Sequence, residues 1–306
     1  MEPVTETQVA EAPEPSSPKQ LKATYASPHV NNSPLHGLWA LTNRDLRKWY
    51  TNPYQLIISL VQPVIWMGLF GKALNFSSFI TQGLPAGTSQ SIINAEMTKI
   101  FGTTSYFSYL VCGMLVFIVL FTSAFAGMSV VWDRRFGFMN KVLTTPVSRG
   151  VIVMAKILQS VGRSLVQAAA VLVIGIALGM ETGNLTVLGI VGTFVVIFLV
   201  AMALSGLFVM LSLRSSDWQT QMAIINLLNL PLLFASNALF PTSIMPAWLQ
   251  DVVKLNPVSY AIDAIRQMLI GAVGMNALWV DFTVVLGFAA FFSVVGIVLS
   301  WRLLKK

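Results

Sequence analysis

Long apolar runs separated by short charged joints make up most of this chain, and that pattern leaves one class of fold. Residues 106–131 and 185–213 contain no Asp, Glu, Lys or Arg, and each exceeds the ~20 apolar residues that cross a bilayer as a helix. Further runs lie at about 54–74, 149–180, 219–240 and 277–301. Together they predict an all-α polytopic membrane protein with six transmembrane helices. At 55% hydrophobic and 10% charged, 306 residues cannot enclose this much apolar surface in one soluble core.

Details within the runs refine the picture. Pro63 predicts a kink in the first span. In the third, Arg149, Lys156 and Arg163 stand seven apart on one helical face, so the helix begins among the headgroups and its charges snorkel or meet a partner. Gly175 and Gly179 permit close helix approach there. The fifth span carries Gln221, Asn226, Asn229 and Asn237. These polar groups either line a substrate path or hydrogen-bond between helices.

Charge excludes some functions and sets the orientation. The net charge of +7 is not gathered on a polar domain but sits at the ends of apolar runs, which argues against nucleic acid. Arg44, Arg47, Lys48, Arg134, Arg135, Lys141, Arg149, Arg214, Arg302, Lys305 and Lys306 fall on one side. Lys99, Lys254 and Arg266 fall on the other, with Lys72 at the edge, so both termini are expected in the cytoplasm. Cys112 is the single cysteine, and His29 and His36 lack carboxylate or Cys neighbours, so no metal site is expected. Gly68, Gly71 and Lys72 mimic a phosphate loop, but Ala73 follows the lysine and the spacing is wrong. The chain is therefore expected to bind no nucleotide or other cofactor itself. Residues 1–34, rich in Pro, Glu, Ser and Thr, predict a disordered cytoplasmic tail without the apolar stretch of a signal peptide.

Three segments outside the spans carry the functional expectations. Residues 35–50 form an amphipathic helix, with Leu35, Leu38, Trp39, Leu46, Trp49 and Tyr50 on one face and Asn43, Arg44, Arg47 and Lys48 on the other. It suits the cytoplasmic interface, against lipid or a partner. Residues 132–149 hold the densest charge in the interior of the chain, and Gly137 and Pro146 bracket a brief helix with an apolar face. Such a finger either plugs into a soluble motor or lies on headgroups. Residues 241–271 place Pro241 and Pro246 before one short amphipathic helix and Asn256-Pro257 before another. This is a re-entrant hairpin from the outer face, or else two helices lying flat outside.

Three stretches resemble the permease subunits of ABC-2 type exporters. They are Ser105-Tyr-Phe-Ser-Tyr-Leu-Val-Cys-Gly-Met-Leu115, the segment from Asp133-Arg-Arg-Phe-Gly-Phe to Pro146 and Arg149, and Asn237-Ala-Leu-Phe-Pro to Leu249 with Leu255-Asn-Pro-Val-Ser-Tyr-Ala-Ile-Asp-Ala-Ile-Arg266. The finger is most similar to the daunorubicin-resistance-type drug exporters. Cys112 stands where the family commonly has proline, and Asn237 where it commonly has a small residue. The resemblance implies a homodimer in the plasma membrane, each copy docked on a separate ATP-binding subunit that holds ATP and Mg, exporting an amphipathic drug-like or lipid-linked substrate. It makes residues 132–146 a coupling helix, with Asp133, Arg134, Arg135, Phe136, Gly137, Phe138, Pro146 and Arg149 as its contacts. Trp39, Arg44, Arg47 and Trp49 of the interfacial helix belong to the same docking surface. Pro241, Pro246, Asn256, Pro257, Asp263 and Arg266 form an outer gate, with Asp263 and Arg266 paired. A polysaccharide or lipid exporter of the same family is the alternative. So are a secondary transporter, which would need charges near mid-membrane, and a membrane scaffold. A membrane-embedded enzyme would need a catalytic cluster, and Asp263 with Asp281 is a thin one.

Overall fold

The computed structural model describes residues 34–73, 88–145, 147–215, 217–272 and 274–303. The expected disordered tail falls almost wholly outside these residues, as do Pro146, Lys305 and Lys306. All secondary structure among the described residues is helical. In chain order we name α1 Pro34–Tyr50, α2 Pro53–Trp66 with a π-helical extension Met67–Ala73, α3 Gln90–Phe101, α4 Tyr106–Arg135, α5 Phe138–Leu143 and α6 Arg149–Ala177. These are followed by α7 Val187–Ser212, α8 Trp218–Phe234, α9 Ala247–Leu255, α10 Pro257–Leu269 and α11 Leu278–Leu303. A 3-10 turn, Thr242–Ile244, precedes α9.

α4 is the axis. Apolar on every side, it is buried along nearly its whole length, as a helix without a polar face must be when surrounded by others. α6, α7, α8, α10 and the π segment pack around it, and α11 closes the bundle against α7. Two glycines set how near its neighbours come. A Cβ on Gly113 would strike the backbone of Ala238, and one on Gly127 would strike the carbonyl of Phe208 and the side chain of Gln221. Of the expected glycine pair in α6, Gly175 packs on Val111 of α4, whereas Gly179 lies beyond the helix end.

Among the described residues, five helical segments are long and apolar enough to cross a membrane: Pro53–Ala73, Gln90–Arg135, Arg149–Ala177, Val187–Ser212 and Leu278–Leu299. The chain is thus a multi-pass membrane protein. The expected fifth span, 219–240, is helical only as far as Phe234. Its last residues leave the helix because their carbonyls are taken by other groups. Tyr109 and Tyr106 hydroxyls donate to the carbonyls of Asn237 and Leu239 at 2.9 and 3.0 Å, and Asn256 donates to those of Leu232 and Ala235 at 2.8 and 2.7 Å. Irregular backbone within a membrane protein persists only where protein groups satisfy it in this way.

Candidate functional site

α4 runs beyond its apolar stretch to Arg135, and the chain then reverses within two residues. Phe136 and Gly137 donate their amides to the carbonyls of Trp132 and Arg134 at 2.9 and 3.1 Å. Gly137 has φ +71, in the left-handed region that a side chain would strain. α5 begins immediately, buries Met139 and Val142, and leaves Arg135, Asn140, Lys141 and Thr144 exposed. Phe136 projects furthest, 80% exposed.

Not every expected contact residue points outward. Arg134 turns inward, its guanidinium donating to the carbonyls of Leu213 and Ser215 at 3.0 and 3.1 Å and so tying down the loop after α7. Phe138 is half-buried beneath the Arg44 guanidinium, 3.7 Å from its ring centre, a cation–π contact. Arg149 is half-buried at the start of α6. Asp133 belongs to an ion cluster that the sequence reading did not assemble.

Lys156 of α6 stands at its centre, 6% exposed. Its Nζ lies 2.7 Å from Asp45 of α1 and 2.5 Å from Asp133 of α4. Arg44 adds contacts of 2.5 Å to Asp45 and 3.6 Å to Asp133. Arg163, two turns further along α6, donates to the Asp45 carbonyl at 3.0 Å. Burial alone would raise the Asp45 carboxyl, but Lys156 and Arg44 outweigh it and hold the group below its ordinary value. This cluster also explains how α1 sits. Thr42, Asp45 and Trp49 face inward, while Leu35, Trp39 and Tyr50 are exposed. The predicted apolar face is therefore split, because the surface that α6 offers is cationic and draws the aspartate in. Arg47 is exposed beside Lys48.

Above the cluster a cleft of about 760 Å³ runs between α1, α2, α4 and α6. Its inner end is charged, and its upper walls carry Phe117, Phe121 and Phe125. Deep within it, Gln167 donates to Ser59 and accepts from Thr122, both at 2.6 Å. None of the four polar residues expected to line a path in the fifth span reaches this cleft. Asn226 is exposed, and Gln221, Asn229 and Asn237 are buried. The side-chain amides of Gln221 and Asn229 find no hydrogen-bond partner among the described residues, so the interhelical bonds weighed as the alternative are not made there.

In the segment 241–271, Pro241 is buried and Pro246 exposed, and Trp248 and Leu255 of α9 are exposed. Asn256 caps α10 through Val258, with Pro257 as the first helical residue, where proline's missing amide costs nothing. The expected Asp263–Arg266 pair is a correction. Arg266 reaches the carbonyls of Asn237, Ala238 and Tyr109 at 2.8, 3.2 and 3.3 Å and stacks on the Tyr109 ring. Asp263 instead accepts the amides of Met275 and Asn276 at 2.7 and 3.4 Å. Both side chains go to open backbone, whose unpaired groups are costlier to bury than a salt bridge is valuable.

Comparison with known proteins comes to bear on this arrangement. Residues 36–270 match the family model described as ABC-2 type transporter. The transport permease ycf38 of Porphyra purpurea is 31% identical over 230 residues, covering 74% of this chain and 72% of the relative. Its counterpart in Pyropia yezoensis is 30% identical, covering 78% and 75%. The daunorubicin resistance ABC transporter permease protein DrrB1 of Streptomyces coeruleorubidus is 27% identical, covering 74% and 81%.

Proposed function

The chain belongs to the ABC-2 type transporter family, and from that premise we propose that it is the transmembrane permease subunit of an ATP-driven exporter. A separate ATP-binding subunit holds ATP and Mg, two copies of this chain form the membrane part, and an amphipathic drug-like or lipid-linked substrate moves outward through the plasma membrane. The Streptomyces relative, a daunorubicin resistance permease, supports the substrate class. Six spans follow if α8, 17 residues long, crosses with the help of the irregular stretch after it. That count leaves both termini in the cytoplasm, the side richer in Lys and Arg.

The observation that carries the reading is the finger at the end of α4. It exposes Phe136 and Arg135 at its tip, and its base is locked by Asp133 and Lys156 into α1 and α6. A push on the tip by a closing ATPase pair is met by no soft joint. Asp133 is two residues from Arg135 on the same helix, so displacement of the tip moves α4 directly and carries α1 and α6 through the ion cluster. These helices form three walls of the cleft, so the motion changes the cleft's width. The outer segment 241–271 is the complementary gate, with Asn256 and Arg266 holding the broken end of α8 against α10.

Gentle detergent extraction of the tagged full chain tests this. We expect a P-loop ATPase subunit to accompany it at about one to one and to hydrolyse ATP. Recovery of the chain alone, from cells in which it is expressed at its native level, overturns the reading.

A further inference from the structure

The cleft between α1, α2, α4 and α6 has its charged and aromatic parts ordered along its length. From Asp133 at one end to Phe117 at the other, the α4 wall rises through 16 residue steps, or about 24 Å at ~1.5 Å per residue. One leaflet, half of a ~40–45 Å bilayer, is about as deep. Every charged residue of the lining belongs to the inner end, at the level of α1. The opposite part is walled by phenylalanines, Ile118 and Pro63, with Gln62 and the mutually bonded Gln167, Ser59 and Thr122 as uncharged polar groups among them.

The inner end carries a surplus of positive charge. Lys156 and Arg44 share the two carboxylates, Asp45 and Asp133. Arg163 and Lys48 also line the cleft, and neither lies within 4.0 Å of a carboxylate among the described residues. Arg163 spends one nitrogen on the Asp45 carbonyl, while its Nε has no protein partner. Gln159, on the same face one turn below Arg163, is 1% exposed, and its side-chain oxygen is likewise unpartnered. Two cations thus line the cleft with no carboxylate close to them among the described residues, while the unpartnered Nε of Arg163 and oxygen of Gln159 are closed off from its space. A guanidinium without a carboxylate partner is suited to phosphate or carboxylate oxygens.

We infer that this cleft is a binding site within one subunit for an anionic amphiphile, its phosphate or carboxylate headgroup at Arg163 and Lys48 and its apolar chain along Phe117, Phe121 and Phe125. The inference rests on the exporter reading for what binding accomplishes, but the binding itself does not depend on an ATPase.

The test is a titration of the delipidated full chain in detergent, read by native mass spectrometry, with phosphatidylglycerol and, separately, phosphatidylcholine. Phosphatidylglycerol should bind at least fivefold more tightly. A basic group near a charged lipid contributes about a fivefold preference, so Arg163→Gln should lower the ratio by about fivefold. Lys48→Gln, at an exposed position, should reduce it by a similar factor. Phe121→Trp should weaken both lipids by narrowing the apolar half. Equal binding of the two lipids overturns the inference, as does a preference undiminished in both charge variants, or binding of both lipids indifferent to Phe121→Trp. In the complex with its ATPase, stimulation by phosphatidylglycerol that Arg163→Gln abolishes supports the site with a transported occupant. Preferential binding without stimulation supports it with a resident lipid. If no ATPase co-purifies while the lipid preference holds, the exporter reading fails and this site stands.

Discussion

Replacing Lys156 by Met should release α1 from the bundle. Lys156 lies within 2.7 Å of both Asp45 and Asp133, whereas Arg44 is close to Asp45 and stands 3.6 Å from Asp133, and the side chains of Lys156, Asp45 and Asp133 are 6, 10 and 16% exposed. Methionine keeps most of the volume but leaves two carboxylates facing one another, with Arg44 as their remaining close cation. Removing one partner of a buried ion pair costs about 3–5 kcal/mol, because the other charge stays buried without compensation. At ~1.4 kcal/mol per decade this shifts the equilibrium between docked and released α1 by roughly 100- to 4,000-fold. Arg47 and Lys48 lie on that helix and are exposed, so trypsin reports the release. Cleavage at these sites requires α1 to unwind, and its rate follows the open population when reclosing is fast. The Lys156→Met chain in detergent should be cut at least about 100-fold faster than wild type, up to the limit of a fully released helix. Adding Asp45→Asn and Asp133→Asn should recover most of that loss, since the uncompensated charges are then gone. A rate within about threefold of wild type for Lys156→Met, or no recovery in the triple variant, would refute the argument that this cluster holds α1.

Three further outcomes follow from particular contacts. Arg266→Lys should lower stability in detergent by about 3 kcal/mol, nearly as much as Arg266→Gln, because an ammonium cannot span the carbonyls of Asn237 and Ala238 as the guanidinium fork does; thermal unfolding of both variants checks it. Asn229→Leu should leave stability unchanged or raise it by about 1 kcal/mol, since the buried amide makes no protein hydrogen bond to lose. Loss of transport by a normally folded Asn229→Leu chain would show that this amide serves the substrate. Asp45 has its carboxyl held below the ordinary value of 3.8, so its contribution to α1 docking is complete above that value and fades as the pH falls through the lower, folded one. Trypsin resistance of α1, measured after brief incubation and return to neutral pH with a crosslinker to trap released helix, should stay flat until below about pH 4.

How much of this could be read from the sequence depended on the range of the interaction. The apolar runs announce their helices because burial inside lipid is a local requirement, and the finger is visible because charges and Gly137 interrupt two such runs. α1 was recognisable as amphipathic, yet its seating was not. Asp45 finds Lys156 111 positions away, and a lone aspartate in a basic helix gives no sign of that partner. The heptad of Arg149, Lys156 and Arg163 was a usable hint that something anionic must face α6. The end of α8 was misplaced for a similar reason. Apolarity continues to Phe240, but Tyr109, Asn256 and Arg266 compete for the carbonyls and stop the helix at Phe234. The same competition dissolved the expected Asp263–Arg266 pair, which the family resemblance had implied.

The most direct test of the central claim is ATP-driven export by the complex carrying changes at the tip of the finger. Arg135→Glu reverses an exposed charge, and Gly137→Pro removes the φ of +71 that aims α5; neither touches the cluster around Lys156. The account predicts that both chains insert and resist trypsin at α1 as wild type does, while export falls by at least about tenfold, the cost of ~1.4 kcal/mol or more of coupling. Export at the wild-type rate from correctly inserted chains would show that the finger does not transmit the ATPase's motion.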